Sequence, residues 1–125
     1  MSMVSDIAGY LATAKVGTVN VSIFINHLPD VDGPVISLTQ YGGNIPPRKT
    51  GIECPGLQVW CRAKTFEDGD AKMKAVFACL HEIGPVTINS KIYKYIQANQ
   101  SHQYMGQDEN DRHEWVMNFI VMKDV

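Results

Sequence analysis

Apolar and polar residues alternate most clearly between Gly51 and Lys74, where a strand pattern runs directly into a helix pattern. One side of the predicted strand is apolar, and it carries Leu57, Val59, Cys61 and Ala63. The other side is mixed, and it carries Gln58, Trp60, Arg62 and Lys64. Antiparallel sheets commonly leave one face to water. A tryptophan on the mixed side therefore indicates that this face also has apolar surface to bury.

Two helices are predicted from apolar residues that recur at intervals of three and four. The first helix spans Ser2 to Lys15, and the second runs from the N-cap Thr65 to the stop at Gly84-Pro85. The second helix is expected to bury Met73, Val76, Phe77, Leu80 and Ile83. Gly69 lies in its first turn and costs about 1 kcal/mol relative to alanine, so we expect that end to fray.

Five further strands are predicted at Val19 to Asn26, Val35 to Tyr41, Val86 to Asn89, Ile92 to Ala98 and His113 to Met122. The first two are separated by turn-forming residues and are expected to form a hairpin. A tight turn at Asn89-Ser90 is expected to join the next pair. The order α-β-β-β-α-β-β-β predicts an α+β fold, with two helices packed on a mostly antiparallel sheet. A single domain is expected over residues 1–125.

Two long segments, Gly42 to Pro55 and Asn99 to Asp111, show neither pattern and are predicted to be loops. The first carries a basic pair, Arg48 and Lys49, and the second carries the acidic residues Asp108, Glu109 and Asp111. Opposite charges on two loops of one subunit would suit head-to-tail contact between identical subunits. The alternative is two solvated loops without a partner.

Four aromatic residues fall on the mixed sides of their predicted strands: Phe24, Trp60, Tyr93 and Tyr95. Either both faces of the sheet are covered and these rings are core, or part of this face packs against another subunit. The candidate subunit or tail interface comprises Arg48, Lys49, Trp60, Arg62, Tyr93, Tyr95, Asp108, Glu109 and Asp111. The predicted core comprises Leu11, Ile23, Ile25, Leu57, Val59, Phe77, Leu80 and Phe119.

Composition narrows the class of protein. The chain has 125 residues, 45% of them hydrophobic, which is typical of a globular domain rather than a disordered one. A net charge of −2 argues against direct reading of nucleic acid. No apolar run is long enough to span a bilayer, so no membrane partner is expected. Three cysteines, an odd number, are expected to be free thiols.

The sequence shows no recognisable catalytic or metal-binding pattern, so we predict no enzyme activity, no cofactor and no metal. His81-Glu82 lacks the second histidine of a zinc-protease motif, and Cys54 and Cys61 are too far apart for a zinc knuckle. Arg112 interrupts the would-be calcium loop that starts at Asp108. A Cys–His pair that meets only in the fold stays open as an alternative.

Four segments, in this order, resemble a known family: I-F-I-N-H-L-P-D, Y-G-G-N-I-P-P, the strand and helix start of Gly51 to Lys74, and R-H-E-W-V-M-N-F-I-V. From about Val16 to its end, the chain resembles the minor capsid or tail-terminator type proteins of long-tailed bacteriophages. The resemblance implies a virion protein, made in the host cytoplasm, that forms a six-fold ring at the head-proximal end of the tail. Its implied partners are copies of itself, the tail tube protein and a head-completion or connector protein.

Two alternatives to the tail terminator remain at this stage. The first is a minor capsid or head-completion protein at the same junction, because family names in this group are used loosely. The second, from a different class, is a small cytoplasmic enzyme or ligand-binding α+β domain. That alternative requires a concave pocket with convergent polar groups, which a sequence does not show.

Overall fold

A computed structural model describes residues 2–43, 45 and 51–125. The helices are α1 (Met3–Thr13) and α2 (Phe66–Leu80). The strands are β1 (Ile23–Ile25), β2 (Val35–Tyr41), β3 (Ile52–Glu53), β4 (Gly56–Ala63), β5 (Val86–Ile88), β6 (Lys91–Ala98), β7 (Gln103–Gln107) and β8 (His113–Asp124). The predicted α+β class is confirmed, with two more strands than the predicted order contains.

Helix α2 begins at the position that its predicted cap, Thr65, indicates, and Ser2 caps α1 in the same way. The Ser2 hydroxyl accepts the amide N–H of Ser5 at 3.2 Å, and the Thr65 hydroxyl accepts that of Asp68 at 3.1 Å. The second helix ends at Leu80, three residues before Ile83, which instead bridges to Ile96. Neither helix is long and apolar enough to cross a membrane.

Strand β8 is the centre of the sheet, and four strands pair with it. Strands β3 and β4 follow one another along one edge of β8, and β6 and β7 follow one another along the other. The main path of the sheet is β1-β2-β4-β8-β6-β5. The prediction of two loops is therefore wrong in part, because β3 and β7 lie inside those segments. Strand β3 has two residues and pairs with Lys123 and Asp124, far along the chain, while a β-bulge interrupts the alternation of β7.

The predicted hairpin between the first two strands is wrong. Strand β1 has three residues and runs parallel to β2, with Ile23 opposite Ile36. The residues before β1 form a turn in which the Thr18 carbonyl accepts the amide N–H of Ile23 at 3.0 Å. Val21 is 69% exposed in that turn. This turn contains the residues that were predicted to begin the strand, and it therefore shortens β1. Because β1 and β2 are parallel, the chain between them must cross back before β2 begins.

Both helices pack on one face of the sheet, which we call the covered face. A single buried cluster joins residues of α1 and α2 to alternate residues of β2, β4, β6 and β8. Six of the eight predicted core residues are fully buried there: Leu11, Ile23, Leu57, Val59, Leu80 and Phe119. Ile25 and Phe77 are half-buried. Phe77 lies at the margin of α2, where its ring stacks on His81 at 4.5 Å.

Candidate assembly surfaces

The opposite side of the sheet, which we call the open face, is the mixed side predicted from the alternation in β4. Trp60 lies there between Ser37 of β2 and Val116 of β8. Half-buried or exposed side chains make up most of this face: Phe24, Thr39, Tyr41, Gln58, Trp60, Tyr95, Gln97, Asn118 and Ile120. Neither helix packs on it, since both belong to the cluster on the covered face. The open face thus presents aromatic rings among amide and hydroxyl groups.

Tyr93 was predicted to lie on this mixed face, and that prediction is wrong. A β-bulge between Tyr93 and Tyr95 shifts the register of β6 against β8. Residues two apart normally share a face of a strand, but the bulge separates these two rings. Tyr93 is fully buried on the covered side, whereas Tyr95 remains half-buried on the open face. Tyr93 is therefore a core residue and not an interface candidate.

A buried polar cluster around Asp6 explains where the hydroxyl of Tyr93 goes. The Asp6 carboxylate, 1% exposed, accepts hydrogen bonds from the Tyr93 hydroxyl and the Asn89 side-chain amide, each at 2.7 Å. Burial, and then the bond to Asp6, raises the pKa of Tyr93 above its ordinary value. These bonds tie α1 to the β5–β6 hairpin. The sequence does not distinguish Asp6 from other residues of its kind, because an acidic residue in the first turn of a helix is common.

Arg62 and Asp108, both interface candidates, meet in an ion-pair network at one end of the sheet, which we call the rim network. Arg62 pairs with Glu114 at 2.9 Å and with Asp108 at 3.4 Å. Arg112, 5% exposed, pairs with Asp108 at 2.9 Å and with Asp30 at 2.7 Å. The network joins the segment that precedes β2 to the one that precedes β8, so it stabilises the shape of this end.

The carboxylate of Asp108 is largely occupied within the fold. Desolvation acts to raise its pKa, but hydrogen bonds from the backbone amides of Arg112 and Asn110 and from the Arg112 side chain outweigh it. The pKa of Asp108 is therefore lowered. Glu109 and Asp111 are exposed, so they are the acidic residues of this loop that face solvent.

The basic pair Arg48 and Lys49 lies outside the described residues. Its segment leaves the sheet at Tyr41, which pairs with Gly56 at the end of β4 opposite Arg62. Ile45, in the same segment, is 92% exposed.

A groove of about 370 Å³ lies between α2 and the break that separates β6 from β7, and it is lined by Lys74, Phe77, Ser101 and His102. The ring nitrogen Nε2 of His102 lies 2.7 Å from the Asp70 carboxylate, which also pairs with Lys74 at 2.9 Å. These contacts attach residues 99–102, which connect β6 to β7, to helix α2. Ser101 also lines this groove, but among the described side chains no hydrogen bond joins its hydroxyl to His102, so the two do not form an activated pair.

Two of the three thiols, Cys61 and Cys79, are poorly suited to act as nucleophiles. Burial raises the pKa of the Cys61 thiol to about 12, and burial also raises that of Cys79. Thiols with a raised pKa are poor nucleophiles at neutral pH. Among the described residues, no group of three or more histidine, cysteine or acidic side chains could hold a metal ion.

Comparison with known proteins identifies the family. A family model described as bacteriophage tail terminator protein matches residues 10–125. A similar fold occurs in a structure titled virion of native gene transfer agent (GTA) particle, with a TM-score of 0.61 and 12% identity over 94% of this chain and 86% of that chain. A search of curated proteins finds no match. Since the family match covers nearly the whole chain, this protein belongs to the bacteriophage tail terminator family and is a structural, non-enzymatic component of the virion tail.

Proposed function

We propose that this chain closes into a homo-oligomeric ring, expected to be a hexamer, at the head-proximal end of a phage tail. There it stops growth of the tail tube and joins the tail to the head. The observation that carries the proposal is the family match over residues 10–125, which includes the eight strands of the described residues and α2. The similar fold in a gene transfer agent virion adds that such a domain is found in an assembled particle.

A closed ring requires two different patches on each subunit, because head-to-tail contacts are heterologous. The exposed acidic residues Glu109 and Asp111 follow β7, near the rim network. The basic segment leaves the sheet at the other end of β4, a strand of eight residues that spans about 26 Å. This separation disfavours pairing of the two charged loops within one subunit, and it supports their pairing between neighbours.

The open face supplies the surface for the tail tube protein and for the head-completion or connector protein. Trp60 and Tyr95 offer half-buried rings, and Gln58 and Asn118 offer amides that can donate and accept hydrogen bonds. Aromatic anchors among polar groups are typical of protein interfaces. The proposed mechanism needs no cofactor, because it depends on shape and on interface contacts.

Complementation of a phage that lacks this gene tests the proposal. We expect the wild-type gene to restore infectious particles, and Arg48→Glu/Lys49→Glu to fail, because charge reversal would repel the acidic loop of a neighbour. Electron microscopy of failed lysates should show filled heads separated from tails of irregular length. Thermal unfolding of the purified variant should match the wild type, so that a failure to complement reflects a lost contact rather than a lost fold.

A matched control carries the same charge change elsewhere. Lys15 and Lys64 are exposed, and Lys15→Glu/Lys64→Glu should complement as well as the wild type. Full complementation by the Arg48→Glu/Lys49→Glu variant would remove the basic pair from the ring contact. Joined heads and tails of normal length without the gene would contradict the proposed function itself.

A further inference from the structure

Aromatic side chains from α2, β7 and β8 form a cluster on the covered face, close to the start of α2. The ring of Phe66 lies 5.2 Å from that of Tyr104 and 4.8 Å from that of Trp115. The Tyr104 hydroxyl lies 2.7 Å from Nδ1 of His113. Trp115 is 4% exposed at the base of this group, whereas Phe66 is 41% exposed and Tyr104 is 39% exposed. Rigid, partly exposed aromatic rings of this kind are common anchors of protein interfaces.

Strand β7 presents a sheet edge beside these rings. Within residues 2–43, 45 and 51–125, its one strand neighbour is β8. Its sequence, Q-Y-M-G-Q, carries no charge, although charged residues commonly protect exposed edges. A β-bulge between Tyr104 and Gly106 leaves the Met105 side chain 48% exposed. We call Phe66, Tyr104 and Met105 the edge cluster.

Two other edges of the sheet, beside β1 and β6, are capped by the chain itself. Beside β1, the amide of Asn20 donates to the carbonyl of Ile23 at 2.8 Å. Beside β6, the amide of Glu82 donates to the carbonyl of Ile96 at 2.8 Å, and the ring of His81 accepts the amide N–H of Ala98. The edge cluster thus combines apolar exposure with a strand edge that lacks such a cap among the described residues.

The charges around the edge cluster indicate its partner. Exposed carboxylates flank it on two sides: Glu67 and Asp68 follow Phe66, while Glu109 and Asp111 follow β7. The complementary surface would be an apolar residue close to positive charge. In this chain the segment 42–51 has that character, because Ile45 is 92% exposed and precedes Arg48 and Lys49 in sequence.

We infer that the edge cluster is a subunit contact, and that it takes the segment 42–51 of a second copy of this chain. Ile45 of the second copy packs on Phe66, Tyr104 and Met105, and the basic pair of that copy lies against the flanking carboxylates. The inference rests on the proposed ring and specifies which surfaces meet in it. The edge cluster and the open face would then serve different partners: neighbours within the ring, and the tube or head.

Self-association measured by sedimentation up to the highest soluble concentration tests the contact. Met105→Lys should weaken association by about tenfold, because it places a charge in an apolar contact. Ile92→Lys is the matched control, since Ile92 is 39% exposed on β6, away from the cluster, and it should associate like the wild type. Unchanged association of folded Met105→Lys would overturn the inference while leaving the ring intact. A wild type that stays monomeric at every concentration would count against ring and contact together.

Crosslinking identifies the occupant. In a Cys79→Ser background, which removes the half-buried native thiol, copies carrying Ile45→Cys are mixed with copies carrying Met105→Cys. A short bifunctional maleimide should join the two kinds of copy into one product. Replacing Met105→Cys by Ile92→Cys should abolish that product. Equal crosslinking from Met105→Cys and Ile92→Cys, or no crosslink from Met105→Cys, would contradict the segment 42–51 as the occupant.

Discussion

The two faces of the sheet are formed by alternate residues of the same strands, yet they differ in how much they expose. On the covered face, Val59 and its cross-strand neighbour Met117 are fully buried beneath the helices. On the open face, the adjacent pair Gln58 and Asn118 is half-buried, as is Trp60. The covered face therefore supplies most of the apolar burial that stabilises the fold. The open face retains side chains that can bind another protein.

The two faces should differ most in the free energy of unfolding that is lost when a large side chain is replaced by alanine. Phe119→Ala, on the covered face, should lower the free energy of unfolding by about 3–5 kcal/mol, because it leaves a cavity in a fully buried site. Trp60→Ala should cost less, because part of that ring is already in water. Phe77→Ala should fall between them. Chemical denaturation measures all three, and equal losses for Phe119 and Trp60 would mean that the two faces are equally buried.

A smaller effect is expected at the buried carboxylate that attaches α1 to the covered side. Asp6→Ala leaves the Tyr93 hydroxyl and the Asn89 amide without their acceptor, at a cost of about 2–4 kcal/mol. Asp68→Ala is the control, since Asp68 occupies the first turn of the other helix but is exposed. It should change the free energy of unfolding by about 0.5 kcal/mol. Similar values for both variants in urea titrations would show that the Asp6 cluster is not a stabilising contact.

Two helical glycines should respond in opposite directions to alanine. A Cβ at Gly69 would lie 2.5 Å from Nε1 of Trp115, so Gly69→Ala should destabilise by about 1–3 kcal/mol. A Cβ at Gly9 of α1 would meet nothing within 4 Å, so Gly9→Ala should stabilise by about 1 kcal/mol. Thermal unfolding distinguishes the signs. Stabilisation by both would mean that α2 does not approach Trp115 this closely.

The smallest expected effect is a change in the melting temperature at low pH. The pKa of Asp70 is lowered, first by its hydrogen bond with His102 and then by Lys74. A carboxyl whose pKa is lower in the folded than in the unfolded state stabilises the fold above its unfolded pKa, and this contribution is lost as the pH falls through the folded value. The melting temperature should therefore fall below about pH 4, and the fall should be shallower in Asp70→Asn. Superimposable pH profiles of the two proteins would contradict this contribution.

The sequence predicted the features that depend on neighbouring residues. The alternation in β4 and the Thr65 cap are local, and the structure confirms both. It did not predict features that depend on distant partners. Asp6 meets Asn89 and Tyr93 across 83 and 87 positions, and the two residues of β3 become a strand only because the far end of β8 pairs with them. The bulge in β6 moved Tyr93 to the covered face, although period-two alternation had assigned both tyrosines to one side.

The candidate interface stays a prediction, and the structure shows only where its members lie. Trp60 and Tyr95 lie on the open face, and Glu109 and Asp111 are exposed. Arg62 and Asp108 instead pair with each other in the rim network, which sequence separation concealed. The edge cluster was not predicted, because Phe66 belongs to a helix cap region and Tyr104 to a segment expected as a loop. Only the fold brings those two rings to 5.2 Å.

The most direct test of the tail terminator assignment is the length of tail tubes assembled in vitro from the phage's own tube protein. Electron microscopy would compare the length distribution with and without this chain, with Met105→Lys and Ile92→Lys as the paired variants. We expect the wild type and Ile92→Lys to stop elongation and to leave a ring at one tube end, and Met105→Lys to require a higher concentration for the same result. Tubes that continue to elongate at saturating wild-type protein would contradict the account.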